Sequence, residues 1–184
     1  MVAAVVHRRG RARFVPSPAA SSARGMTETT DAPLSLSYVL PPTWRRRRGS
    51  DPARGVVVAA RAPALPPSGV RPEVVLHRAA VPDADLGTWR EAATAELADL
   101  LDDAHLDDHD RFDLMGHEVD YRRLTHRLGT ADVVCEQWAW LAGGTGVVLT
   151  CSAALEDYPD YCDLFELVAE SVELAEPTPP VEVA

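Results

Sequence analysis

The chain has 184 residues and a mass of 19.9 kDa, room for one sizeable domain with tails and too little for two full catalytic domains. Hydrophobic residues at 46% and charged residues at 25% are ordinary globular usage, which disfavours wholesale disorder, collagen-like structure and coiled coil. The net charge of −10 is unevenly spread: residues 1–54 hold ten arginines against three acids, the remainder eight arginines against 25 acids, so the folded part is acidic and repels nucleic-acid backbones.

Residues 1–32 read as a basic N-terminal tail rich in Arg, Ala, Ser and Pro, within which Met26, followed by Thr27 and Glu28, resembles a conventional protein start. A single domain is expected over 33–175 and a Pro-rich tail over 176–184. Leu34 to Leu40 alternates as a half-buried strand, closed by Pro41 and Pro42 and followed by Trp44. Strands are expected next over Gly55–Ala60 and Glu73–Arg78. From Leu86 the apolar positions Leu86, Trp89, Ala93, Leu97 and Leu100 recur at helical spacing, with Thr88 and Glu91 placed as a capping box. The acidic stretch after this helix reads as a connector. Strands then follow over Asp113–Thr125, with Met115, Val119 and Tyr121 on one face, and over Asp132–Leu141.

Gly143 to Gly146 is a hairpin turn signal between Val133–Leu141 and Val147–Ala153. Pairing Ala142 with Val147 sets Trp138 opposite Cys151 and Trp140 opposite Leu149, a greasy face belonging to the core. The reverse face carries Gln137, Ala139, Leu141, Val148, Thr150 and Ser152. A last helix begins near Pro159, striped by Tyr161, Leu164, Phe165, Val168 and Val172. The expected fold is therefore α+β: a six-stranded, largely antiparallel sheet in β-β-β-α-β-β-β-α order, flanked by two helices.

Pro42-Thr43-Trp44 after the first strand, the pair Gln137–Leu141 and Val148–Cys151, and the terminal Tyr161–Phe165 helix together resemble the LpqN/DcrB group of the Mog/PsbP-like fold, over about residues 34–174. The resemblance implies binding rather than catalysis: members bind a small GTPase, serve photosystem assembly, or act as chaperones that lay client helices on the sheet. LpqN-type members are often lipoproteins, and this sequence has no lipobox cysteine near its start. On that basis Gln137, Ala139, Leu141, Val148, Thr150 and Ser152 are the candidate client-binding residues, their small and polar side chains suiting a close helix. The alternative is a solvated face or one covered by a helix.

No catalytic residue, metal or cofactor is expected. Cys135, Cys151 and Cys162 are odd in number and lack CxxC spacing, and GxSxG, Walker and HExxH patterns are absent. The His105–Asp113 stretch carries His105, Asp107, Asp108, His109, Asp110 and Asp113, but lacks the glycine and glutamate of a calcium loop. It supplies the alternative reading of a small metal-dependent or small-molecule enzyme, and a structural subunit is the third. No apolar run approaches the roughly 20 residues that span a bilayer, the N-terminal apolar stretch precedes its charges, and the expected location is cytoplasmic. The leading expectation is a non-enzymatic adaptor or chaperone for a secreted or membrane-associated client protein, with no nucleic acid bound by the core. The run Arg45, Arg46, Arg47 and Arg48 is a candidate electrostatic contact, read against the alternative of a solvated loop. If it touches an acidic partner, replacing all four by Gln weakens that binding at low salt; unchanged affinity in a titration at low and high salt would exclude the contact.

Overall fold

The computed structural model describes residues 34–47, 55–81 and 84–175. The N-terminal tail expected over 1–32, the C-terminal tail over 176–184 and Arg48 lie outside the described residues. Nine strands and two helices follow in the order β1 (Ser35–Ser37), β2 (Arg45–Arg46), β3 (Val56–Arg61), β4 (Glu73–Ala80), α1 (Leu86–Leu100), β5 (Asp102–Leu114), β6 (His117–Leu128), β7 (Ala131–Ala142), β8 (Thr145–Ala154), α2 (Cys162–Glu170) and β9 (Glu173–Ala175) among the described residues. The main sheet is seven-stranded rather than six-stranded, in the order β2-β3-β4-β8-β7-β6-β5, and every neighbouring pair is antiparallel. β1 leaves it to pair with β9 in a separate two-stranded sheet.

Two of the seven were not expected as strands: the short β2, and β5, formed by the acidic stretch expected to be a connector. The side chains of β5 are exposed along nearly the whole length, so it carries no hydrophobic alternation to read. What makes it a strand is the ladder with β6, closed by a two-residue turn at Met115 and Gly116, both at positive φ (56° and 85°). Met115 therefore sits in the turn and not on a strand face. A charged edge of this kind resists pairing with other chains.

β7 and β8 form the expected hairpin with a tighter turn. Gly143 and Gly144, at φ 52° and 70°, are its two central residues, so Ala142 pairs with Thr145 rather than Val147. Trp138 consequently faces Leu149 and Trp140 faces Val147, a slip of two residues that leaves every side chain on its expected face because strand periodicity is two.

The greasy face is covered by α2 and the β1/β9 pair. Trp138, Trp140, Leu149, Cys151, Val74 and Leu76 pack there with Phe165, Val168 and Leu174. Trp44, set by the turn at Pro41, meets Tyr161 and Phe165 edge-on at centroid distances of 6.3 and 6.5 Å. A 3-10 turn at Tyr158–Asp160 holds Pro159, so the α-helix starts three residues later than expected.

α1 covers the opposite face. Asp85, not Thr88, is its N-cap, accepting from the Thr88 backbone N–H at 2.9 Å. At its N-terminal end Leu86 and Trp89 pack against Ala139, Val148 and Leu141. Trp89 lies on Gly146, where a Cβ would come within 2.4 Å of the ring. Farther along the helix Ala93 and Leu97 are buried too, and between these apolar positions the contact is ionic. Asp120 on β6 is fully buried and accepts from Arg122 Nε at 2.7 Å. Arg90 of α1, also fully buried, lies 3.7 Å from the same carboxylate and donates to Gln137 Oε1 at 2.6 Å. Arg122 donates to the Arg90 carbonyl at 3.0 Å and to Thr94 Oγ1. His109 and Arg111 of β5 reach Asp120 Oδ2 at 3.1 and 3.2 Å.

Burial alone would raise the Asp120 pKa, but the bonds from Arg122 and His109 and the nearby arginine charges outweigh it and hold the carboxyl below its ordinary range. A carboxyl lowered on folding contributes stability above the ordinary carboxylate range, and that contribution is lost as pH falls through the folded value. Asp120→Asn leaves two buried guanidiniums without their counter-charge, and about 3 kcal/mol of stability is expected to go with it at neutral pH. Urea denaturation of both proteins from neutral to acidic pH checks this: the gap should narrow on acidification, and a constant gap would mean the carboxylate's charge is not what matters.

Candidate binding cleft

The expected client face does not lie open. Its six residues share one side of the sheet as expected, but α1 lies over them: Gln137, Ala139 and Val148 are 3%, 0% and 2% exposed. Leu141 packs half-buried beside Trp89, Thr150 accepts from Gln137 Nε2 at 3.2 Å, and Ser152 borders a cleft of about 330 Å³ at the C-terminal end of α1. Gln137 is spent within the protein, accepting from Arg90 of α1 and donating to Thr150. The arginines at that smaller cleft are engaged within the protein: Arg71 donates to the carbonyls of Ala62 and Pro63, both at 2.9 Å, and Arg127 pairs with Asp132 at 2.9 Å.

Arg45 and Arg46 form the exposed strand β2, while Arg47 pairs with Glu73 at 2.9 Å. His105 to Asp113 are strung along β5, where alternation sends neighbours to opposite sides of the sheet; among the described residues no three His, Cys, Asp or Glu side chains are placed to hold a metal ion. Burial pushes the Cys135 thiol up to about 12 and holds Cys151 well above its ordinary value, so neither supplies a thiolate nucleophile near neutral pH.

The larger opening lies on the α2 side. A cleft of about 630 Å³ is bounded by β5, β6, β7 and α2. Strand alternation supplies its walls: Asp108, Asp110 and Phe112 from β5, Tyr121 and Arg123 from β6, Glu136 and Trp138 from β7. Tyr158 and, from α2, Glu166 and Glu170 close the other side. The rings run as a continuous surface, Phe112 to Tyr121 at 6.4 Å and Tyr121 to Trp138 at 5.3 Å.

Glu136 is the unusual residue. It stands on the same face as Trp138 and Trp140 and is 3% exposed. Its Oε1 accepts from the Tyr121 hydroxyl at 2.6 Å and the Tyr158 hydroxyl at 2.9 Å, whereas Oε2 is buried with no hydrogen-bond partner. Burial pushes the Glu136 pKa up, and Glu166 adds to the push; the two tyrosine hydroxyls and Arg123 oppose it without cancelling it. Tyr158 is in turn pushed up to about 12, by its burial first and then by its bond to Glu136.

Glu136 was legible in the sequence as an acid flanked by Val134 and Trp138 on the greasy register of β7, two and four residues before the tryptophans. Tyr121 is placed by the sequence only on a strand face shared with Met115 and Val119. The contribution of α2 was hidden, because Glu166 and Glu170 read as the solvent side of that helix and no pattern tells which strand edge it approaches.

No protein-family model matches the chain, and no curated protein matches it in sequence. Solved structures do match in shape. LpqN of Mycobacterium tuberculosis, involved in cell envelope biogenesis, superposes with a TM-score of 0.60 at 14% identity, covering 82% of this chain and 87% of its own. CyanoP, the cyanobacterial PsbP of Synechocystis sp. PCC 6803, gives 0.56 at 16% identity over 82% and 98%. PA94 of Pseudomonas aeruginosa, described as a protein of unknown function and regulator candidate, gives 0.57 at 15% identity over 80% and 99%.

A carboxyl whose pKa is raised on folding contributes stability below the ordinary carboxylate range and loses it as pH rises through the folded value. Glu136→Gln, which keeps the acceptor for both tyrosines, is therefore expected to gain on the wild type as pH rises. Chemical denaturation across that pH range checks it, and a variant that loses ground with rising pH would contradict the raised carboxyl. With its seven-stranded antiparallel sheet, one helix on each face and these three superpositions, the chain has the fold shared by LpqN and the PsbP-like proteins.

Proposed function

We propose that this protein is a non-enzymatic binding protein, an adaptor or chaperone for a secreted or membrane-associated client, and that the client is taken at the α2-side cleft rather than on the face beneath α1. The observation that carries this reading is Glu136, a buried carboxylate with one oxygen left without a donor at the foot of an open cleft. Native proteins rarely leave such a group unsatisfied, and those that do concentrate at sites where another molecule completes the bonding. The rings of Phe112 and Tyr121 beside it, backed by buried Trp138, offer apolar contact area at little conformational cost. Structural relatives point the same way: LpqN is involved in cell envelope biogenesis, a setting in which an adaptor meets secreted and membrane-associated partners.

The enzyme alternative built on His105–Asp113 gains no support from the strand geometry, which spreads those side chains over an exposed edge. A site-specific photo-crosslinker at Phe112, on the cleft wall, compared with one at exposed Leu65, tests the proposal in lysate of the native host. A discrete client adduct at Phe112 that is absent at Leu65 is expected. Identical adducts at both positions, or none at Phe112, would overturn the cleft as the client site.

A further inference from the structure

We propose that β5, the outer wall of the α2-side cleft, is a movable wall, clasped from behind by His109 and Arg111 onto Asp120, and that this clasp decides how far the cleft stands open. The inference rests on the reading of the cleft as a client site and names a device that governs it. Apart from its ladder with β6, β5 has little to hold it. None of its side chains is buried, and the ladder itself is interrupted by register shifts between Asp102 and His105 and between Leu106 and Asp108. An edge strand with so few buried contacts lies at the low-stability end of a fold, where local opening precedes unfolding of the rest. Yet Asp108, Asp110 and Phe112 of this strand line the cleft. Their ties on that side are loose: Asp108 stands 3.9 Å from Arg123, both side chains more than a third exposed, and the Phe112 ring lies 6.4 Å from that of Tyr121.

Strand alternation puts the clasp on the opposite face. His109 and Arg111 alternate with the cleft-lining residues and reach to the α1 side, where His109 Nε2 and Arg111 Nε meet the same oxygen of Asp120, Oδ2, at 3.1 and 3.2 Å. Two anchors, one on either side of Asp110, fix the stretch from Asp108 to Phe112. Both anchoring side chains are 40% exposed while Asp120 is fully buried, so they can let go without opening the core. Asp120 then keeps Arg122 at 2.7 Å and Arg90 at 3.7 Å. α1 makes room for the clasp. Gly87, in its first turn, is buried, and a Cβ there would come within 2.1 Å of Arg111 Nη2. Alanine is the better helix former, so this glycine answers to Arg111 and not to the helix.

The test follows amide hydrogen exchange by NMR on the full chain, together with the client adduct at Phe112. Two variants loosen the clasp in different ways. His109→Thr combined with Arg111→Thr suits an exposed strand but cannot reach Asp120. Gly87→Ala changes no charge, favours the helix and crowds the Arg111 guanidinium. Amides bonded across the β5–β6 ladder between residues 108 and 113 are expected to exchange about tenfold faster in the double variant and about threefold faster in Gly87→Ala. Amides of β7 and β8 should stay within about twofold of wild type, because the core is untouched. The Phe112 adduct should weaken in the same order. Exchange in β5 unchanged from wild type in either variant would overturn the clasp, and so would acceleration spread equally over β7 and β8. Faster exchange in β5 with an undiminished adduct would overturn its control of the cleft. Wild-type protein that gives no adduct at Phe112 would overturn the client reading and this proposal with it, whereas a normal wild-type adduct with β5 unmoved in both variants overturns the clasp alone.

Discussion

The ion network under α1 is the constraint around which the rest of the molecule is arranged. Asp120 is fully buried on β6, one strand in from the sheet's edge, and it is tolerable there only because Arg122, Arg90, His109 and Arg111 converge on it from three elements. α1 buries Leu86, Ala93 and Leu97, and Arg90, standing between Asp120 and Gln137, fixes its position further. Buried ionic contacts of this sort add little net stability against an apolar equivalent, but they discriminate sharply between one docking of the helix and another. Arg90 illustrates the cost: burial first, and then Arg122, pull its pKa down to about 10, even with Asp120 opposing, and its Nε and Nη1 find no hydrogen-bond acceptor.

That arrangement settles which side of the sheet is free. β6 reads Asp120, Tyr121, Arg122, Arg123, and alternation sends the first and third under α1 while the second and fourth face α2. Two polar networks thus stand back to back on one strand. The α1 side is closed, with its donors and acceptors largely spent on each other; the α2 side is open, with an acid left incompletely bonded beside three aromatic rings. α2 is too short to roof the far end of the sheet, and the long β5–β6 hairpin reaches past it to make the opposing wall.

Several features were legible because they obey local rules. The hairpin at Gly143 and Gly144, the spacing of Leu86 to Leu100, and the shared face of Trp138 and Trp140 follow from turn chemistry and periodicity, and the register error of two residues in the hairpin did no damage to the faces. β5 escaped because an edge strand exposed on both sides has no buried face to print a pattern, and β1 was counted into the wrong sheet because its partner, β9, lies more than a hundred residues away.

The sequence by itself determined the α+β class, the two helices, which strand residues share a face and the likeness to the LpqN and PsbP-like fold, since these depend on side-chain period and on turn residues close in the chain. Only the tertiary structure decided which face α1 covers and that Glu136 ends beside Tyr121 and Tyr158 with one oxygen unpaired. Those outcomes rest on contacts between elements remote in sequence. The polarity that marked Gln137 as a binding residue served to anchor a helix, and Glu136, its neighbour on the opposite face of β7, lines the cleft.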